Sequence, residues 1–271
     1  MAAEAAERRK RTIVRGVIIA ALVIGVIVLY SVFAGGDDDG DGTTTAASTT
    51  VATTAAPTTA APESDSELAV APADIGCPAE DGSSETFRQF AEAPPMCIDE
   101  DADYVASFQT SVGDFDVFID PTLDPISANN FVFLARYGAY DGTIFHRIIE
   151  NFVVQGGDVE LADGIGNPGY RFTGGVPEVG QYREGSIAMA NSGDSSSNGS
   201  QFFIVTGPNG AALPPLYSLF GQVIDGLDVP LEMQLVETGA ADKPIEDVVV
   251  DSVTIREATA DDVAAYEAAV G

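Results

Sequence analysis

The run Phe145-His146-Arg147-Ile148-Ile149-Glu150-Asn151-Phe152-Val153-Val154-Gln155-Gly156-Gly157-Asp158 sets one arginine, one histidine and one glutamine among aliphatic and aromatic residues. If Arg147 to Gln155 alternate as a strand, then Arg147, Ile149, Asn151, Val153 and Gln155 share one face. A guanidinium and a carboxamide would project from an otherwise apolar surface. That combination suits a groove that holds an uncharged polar backbone beside one permanent cation. Other chemistries fit less well. His146 is the chain's single histidine. A serine hydrolase would use it as base, but no Gly-x-Ser-x-Gly run surrounds a serine. One histidine and two cysteines, Cys77 and Cys97, supply too few ligands for zinc, so no metal is expected. The run Gly164-Ile165-Gly166-Asn167-Pro168-Gly169 satisfies G-x-G-x-x-G. Pro168 and the residues after it cannot open the helix a dinucleotide site requires, so it reads as a Gly-rich surface loop.

Elements to position this run follow from pattern. Phe115–Ile119 reads as a strand paired to Tyr104–Gln109 through a turn at Ser111–Asp114. Pro125 and Ser127 mark a helix start, with Phe131, Leu134 and Ala135 on its apolar face up to Gly138. Short strands are expected at Thr143–Ile149, Phe152–Gln155, Ser186–Asn191, Gln201–Thr206, Leu219–Val223 and Val248–Arg256, with a late helix at about Leu227–Leu235. Many short strands with two helices point to a closed antiparallel barrel capped at its ends. Pattern alone leaves sandwich and barrel both open.

The chain before Tyr104 is different in kind. Residues 1–15 carry a net charge of +3. Residues 16–36 carry no charge, and Val17–Ala34 is almost wholly aliphatic or aromatic. At about 1.5 Å per residue this stretch spans a hydrocarbon core of roughly 30 Å. It is longer than a signal-peptide core and lacks a clean Ala-x-Ala site before Asp37, so an uncleaved anchor is expected. The basic flank places the N-terminus in the cytoplasm and the remainder outside the cell membrane. Residues 43–62, TTTAASTTVATTAAPTTAAP, have too little apolar bulk to offset chain entropy. They read as a disordered tether, with residues 37–75 as its bounds. The acidic run Asp37-Asp38-Asp39-Gly40-Asp41-Gly42 imitates a calcium loop, but Ser48 stands where a bidentate Glu is needed.

Cys77 and Cys97 lie outside the membrane on this reading, with no metal-ligand spacing and no Cys-x-x-Cys, so a structural disulfide is expected. It would staple a short extension, residues 76–100, to the main domain at 101–258, leaving 259–271 as a tail. The chain carries a net charge of −30, with seven Lys or Arg beyond residue 15. So acidic a surface excludes nucleic acid as a partner, because phosphate binding needs clustered cations.

Three blocks then carry a resemblance. FHRIIENFVVQGGD is followed by Ser186-Ile187-Ala188-Met189-Ala190-Asn191 with Asn198-Gly199-Ser200-Gln201-Phe202-Phe203-Ile204, and then by Leu219-Phe220-Gly221-Gln222-Val223. In this order the blocks resemble the cyclophilin family of peptidyl-prolyl cis–trans isomerases. The resemblance covers residues 104–256 and neither the anchor, the tether nor the Cys77–Cys97 segment. It implies a closed eight-stranded antiparallel barrel with two capping helices. It also discounts Asn198-Gly199-Ser200 as a glycosylation site, since that triplet lies inside the second block.

Position by position, the resemblance implies that Arg147 is catalytic and that His146 adjoins and supports it. It assigns Phe152, Val153 and Gln155 to the groove, Ala190, Asn191 and Gln201 to the substrate backbone, Phe203 to the floor of the proline pocket, and Leu213 to its aliphatic wall. Tyr217 stands where the family often has His, and Ala212 where it often has Trp. The missing indole implies weak or no cyclosporin binding. No cofactor is implied. The expected function is acceleration of X-Pro rotation in exported or envelope proteins. The alternative is a module that binds proline-containing segments with little turnover.

Overall fold

A computed structural model describes residues 70–160 and 164–271. The expected basic tail, transmembrane helix and most of the tether fall in residues 1–69, outside the described residues. Among the described residues no helix is long and apolar enough to cross a membrane.

The chain opens with a hairpin, β1 (Tyr104–Thr110) and β2 (Gly113–Ile119), whose register pairs Tyr104 with Ile119. Helix α1 (Pro125–Arg136) follows, with Pro125 in its first turn where a missing N–H is tolerated. Then come β3 (Arg147–Ile149), β4 (Val153–Gly156), β5 (Ser186–Met189), β6 (Phe202–Val205), the short helix α2 (Pro208–Ala211), β7 (Leu219–Asp225), α3 (Asp228–Met233), β8 (Val250–Glu257) and α4 (Ala260–Val270). The strands form one eight-stranded sheet in the order β3-β4-β6-β5-β7-β2-β1-β8, each neighbouring pair antiparallel.

The expected closure of the barrel is corrected. The sheet ends at β3 and β8, and its two ends are bridged by an isolated Ile144–Val249 pair. Phe145 N–H donates to Val248 O at 2.9 Å and Val250 N–H donates to Thr143 O at 2.8 Å across this seam. The cause is local. The chain runs beside β8 through Thr143–Phe145, then changes course at His146 to pair with β4, so no single strand serves both neighbours.

Pleat and register give each strand two faces. Ile148, Val154, Ile187, Met189, Phe202 and Ile204 point into the main core, where they meet Phe131 and Leu134 of α1. Phe131 packs against Phe108, Tyr140, Phe202 and Phe220 with ring centroids 5.1–6.0 Å apart. The opposite face of β4, β5, β6 and β7 carries a second cluster, described below.

Two boundaries also move. The expected tether ends sooner, because Ala71 is buried and its N–H donates to Gln89 O at 2.8 Å. Cys77 and Cys97 are joined, with Cα atoms 5.3 Å apart. Their loop packs Phe90 against Phe133 and Tyr137 of the α1 region. The expected tail at 259–271 is instead mostly α4. Thr259 and Asp262 close a capping box at its start, and Arg256 grips Asp262 through two bonds of 2.6 and 2.9 Å. Tyr266 of α4 stacks on Phe118 at 4.3 Å and donates to Asp120 Oδ2 at 2.9 Å.

Candidate active site

The strands expected at Thr143–Ile149 and Phe152–Gln155 meet as a hairpin, so Arg147 to Gln155 is not one continuous strand. Glu150, Asn151 and Phe152 form its turn, with Asn151 in the left-handed region at φ 58°. Arg147 therefore faces Gln155 across the pair β3–β4, and Ile149 faces Val153. The next registers continue the row. Gln155 pairs with Phe203, Phe203 with Ala188, and Ala188 with Leu219. Directly paired residues project to the same side of a sheet. One face thus presents a guanidinium, a carboxamide and an aromatic ring side by side.

Polar contacts fix the cationic end. Arg147 Nη1 donates to Gln155 Oε1 at 3.3 Å, and Gln155 Nε2 donates to Gln201 Oε1 at 3.1 Å. Gln201 Nε2 in turn donates to Gly166 O at 3.1 Å. On its other side Arg147 Nε lies 3.5 Å from Asp242 Oδ2. These contacts engage Nε and Nη1 and leave Nη2 for a ligand. Asp242 sits in a 3-10 turn at Ala240–Asp242, with φ 59°.

The apolar end is the second cluster. Phe203, 4% exposed, forms its floor together with Val153, Ala188, Val205 and Leu219. Phe152, Ala190, Leu213 and Tyr217 are half-buried around it. Tyr217 meets Phe203 edge-on, with centroids 5.3 Å apart and planes at 86°. Such a concave apolar patch with a polar array along one side fits a ring-bearing backbone. Phe152 reaches this face from the turn, which is why its parity disagrees with that of Arg147 and Gln155.

Beside this groove lies a cavity of about 340 Å³, lined by Gln155, Gln201, Ala190, Asn191, Arg171 and the loop from Gly164 to Asn167. Ala190 belongs to both walls, so groove and cavity adjoin. Ala190 N–H donates to Gln201 O at 2.9 Å. Asn191 Nδ2 donates to Leu216 O at 2.9 Å, and its Oδ1 accepts from Gly193 N–H at 3.1 Å. His146 is buried behind Arg147, against Gly164. The groove residues expected from sequence are therefore brought together, with His146 behind them.

Several contributors escaped the sequence reading. The Gly164–Gly169 loop is part of the cavity wall. Asp158 shapes it from the buried side, with Oδ2 accepting Gly164 N–H at 2.8 Å and Gly166 N–H at 3.2 Å. The preceding Gly157, at φ 76°, admits no side chain, because a Cβ there would sit 2.7 Å from the Phe202 ring. The Gly-Gly-Asp triplet was the available signal. Tyr182 is a second such residue. Its hydroxyl donates to Tyr217 O at 2.6 Å and accepts from Tyr217 N–H at 3.0 Å. Burial pushes its pKa up to about 12, so the hydroxyl keeps its proton throughout the ordinary pH range. No local motif marks Tyr182 or Asp242, since each acts across a long sequence gap. The discounted sequon is settled by packing: Asn198 is fully buried and its Nδ2 donates to Ser218 Oγ at 2.9 Å. Among the described residues no group of three or more His, Cys, Asp or Glu is placed to hold a metal ion.

Comparison with known proteins agrees with this geometry. The family model "Cyclophilin type peptidyl-prolyl cis-trans isomerase/CLD" matches residues 105–255. Peptidyl-prolyl cis-trans isomerase-like 1 of Gibberella zeae is 39% identical over 143 residues, 52% of this chain and 87% of that protein. Peptidyl-prolyl cis-trans isomerase B of Streptomyces anulatus is 37% identical over 169 residues, 55% of this chain and 95% of that protein. A Cryptosporidium parvum cyclophilin type peptidyl-prolyl cis-trans isomerase, whose crystal structure was determined in the presence of the dipeptide Ala-Pro, superposes with a TM-score of 0.51 at 31% identity, covering 56% of this chain and 98% of that one.

Proposed function

This chain belongs to the cyclophilin-type peptidyl-prolyl cis–trans isomerases, and from that premise we propose that it turns X-Pro bonds in exported or envelope proteins with Arg147 as the donor to the twisting amide. Rotation about a peptide bond meets a barrier of about 18–20 kcal/mol because resonance holds the amide planar. A catalyst has only to bind the twisted amide better than the planar one. In the twist the prolyl nitrogen becomes pyramidal and recovers a lone pair. A guanidinium keeps its protons at any relevant pH and can donate to that lone pair. The observation that carries this reading is the row Arg147–Gln155–Phe203 across paired strands.

The proline ring would rest on Phe203, walled by Phe152, Leu213 and Tyr217, while Gln155, Gln201 and Asn191 hold the flanking backbone. The Ala-Pro dipeptide, in whose presence the Cryptosporidium structure was determined, is of the chemical class this groove would take. Ala212 ends α2 exposed and offers only a methyl group, which supports weak cyclosporin binding. Location outside a cell membrane is supported by the apolar residues 16–36 behind a basic flank and by a disulfide, which persists in oxidising compartments.

The test is a cis-to-trans assay on an X-Pro peptide with the wild type and with Arg147→Ala, alongside peptide binding. Removing a preorganised transition-state donor lowers kcat by about 10²–10³. The expected outcome is that loss with peptide affinity changed only a few-fold. An Arg147→Ala variant as fast as the wild type would remove Arg147 from the mechanism. A wild type that binds the peptide yet leaves its rotation at the buffer rate would identify a binding module instead.

A further inference from the structure

A second cavity, of about 320 Å³, lies away from the proline groove, between the disulfide-stapled extension and the sheet. Residues from Glu80 to Thr86 form one wall, the end of α1 with Gly138 and Asp141 another, and Ser252–Ile255 of β8 the third. The extension wall lies outside the family match at 105–255, so this chain's own segment encloses the space.

Arg136 lines this cavity and is 8% exposed. Its Nε is buried without a hydrogen-bond acceptor. Among the described residues the Arg and Lys ion pairs are those of Arg147, Lys243 and Arg256, and Arg136 joins none. The Tyr104 ring, with its centroid 5.6 Å from the guanidinium carbon, gives partial compensation. A guanidinium nitrogen buried without an acceptor is costly, and the cavity that Arg136 lines is the place for an anion to supply one. Thr86 and Thr254 bring hydroxyl donors to the same space. Three carboxylates also line it: Glu80 and Asp81 are exposed, and Asp141 is half-buried. Asp141 Oδ1 is engaged by Val253 N–H at 3.0 Å. Arg88, outside the lining, is already engaged by Asp141 O, so three acids face Arg136 as the one cation of the lining and a dianion is repelled. A single carboxylate carrying its own cation satisfies both signs.

We propose that this cavity is a second binding site, which takes a small zwitterion with its carboxylate on Arg136 and its ammonium group toward Glu80 and Asp81. The site is separate from the isomerase groove and shares no lining residue with the cavity beside Gln155.

The test uses the full-length protein with β-alanine, acetate, methylammonium and inorganic phosphate as probes, read by hydrogen exchange and thermal melting. β-Alanine is expected to slow exchange in residues 80–86 and 252–255 and to raise the melting midpoint. Acetate should do so more weakly, and methylammonium and phosphate should have no such effect. Arg136→Met should weaken β-alanine at least tenfold, and Arg136→Lys by only a few-fold. Retained isomerase activity shows that each variant is folded, because Arg136 takes no part in the proline site. Should Arg136→Met not fold, the Lys variant with Glu80→Gln/Asp81→Asn carries the test, the double change being expected to level β-alanine with acetate. No protection by β-alanine, equal protection in Arg136→Met, or equal binding of β-alanine and acetate in the wild type would overturn the assignment.

Discussion

The hydroxyl of Tyr182 sits behind the groove and touches no part of the substrate face, yet it holds the Tyr217 backbone by both of its polar groups. Tyr182→Phe removes that oxygen and keeps the ring, so little volume is lost. Each hydrogen bond contributes about 0.5–1.5 kcal/mol net, which puts the pair at about 1–3 kcal/mol. Tyr217 is half-buried, so water reaches part of what is exposed and the middle of that range applies. For a domain of this size about 2 kcal/mol lowers the melting temperature by about 4–8 °C. The effect should extend to catalysis because the Tyr217 ring packs edge-on to Phe203, the floor of the proline pocket. A loosened wall weakens ground-state and transition-state binding alike, so KM rises several-fold while kcat changes little. Calorimetry and steady-state isomerase kinetics on the same preparation measure both. A variant that melts with the wild type, or one that loses kcat at constant KM, would refute this account of the wall.

Reducing Cys77–Cys97, which closes a 20-residue separation, should cost about 3 kcal/mol and lower the melting temperature measurably. The Cys97 amide should lose protection with it, since its N–H donates to Asn129 Oδ1 at 2.7 Å while Asn129 Nδ2 donates to Pro95 O at 2.9 Å; hydrogen exchange with and without reductant reads this. Burial raises the pKa of Tyr140, Tyr170, Tyr182 and Tyr266 above the ordinary value of 10.0. Raised folded-state values mean that this stability is fully present below pH 10 and is lost as pH rises. Denaturant midpoints should therefore fall above pH 10, and Tyr182→Phe should flatten the part of the fall between pH 10 and about 12. Gly210→Ala would drive a Cβ against Phe152 O and within 2.9 Å of Val205 Cγ1. Overpacking of that kind costs about 1–3 kcal/mol. Displacement of Phe152 should raise KM in the peptide assay.

The eight strands were legible as short β-branched and aromatic runs between turn residues and α1 from Pro125 and Ser127 at its start, although β5, β6 and nearly all of α1 are buried without alternation. The reading of Arg147–Gln155 was right about a face for an incomplete reason. In this hairpin residue 147 faces 155 and 149 faces 153, so a single strand and the observed turn place the same residues together. Only the position of Phe152 distinguishes the two. The seam between β3 and β8 escaped the reading because it depends on which neighbour Thr143–Phe145 chooses, a tertiary matter. The α4 helix was missed because its drive comes from Tyr266 on Phe118 and from the Thr259–Asp262 cap, and its alanine-rich sequence has no strong apolar face. Tyr182, Asp242 and Arg136 act through partners distant in sequence or through enclosure by the extension, and spacing along a chain carries no record of either.

The pairing of β1 with β8 has a kinetic consequence. Tyr104 lies opposite Glu257, so the first strand of the sheet is completed by residues about 150 positions later in the chain. Such separations make loop closure slow and leave early segments waiting. A chain emerging N-terminus first from a ribosome or a translocation pore would hold β1 and β2 as a hairpin with one open edge until residue 257 is free. Assembly of the sheet therefore waits on residue 257, and during that interval the β1 edge needs protection from neighbouring chains.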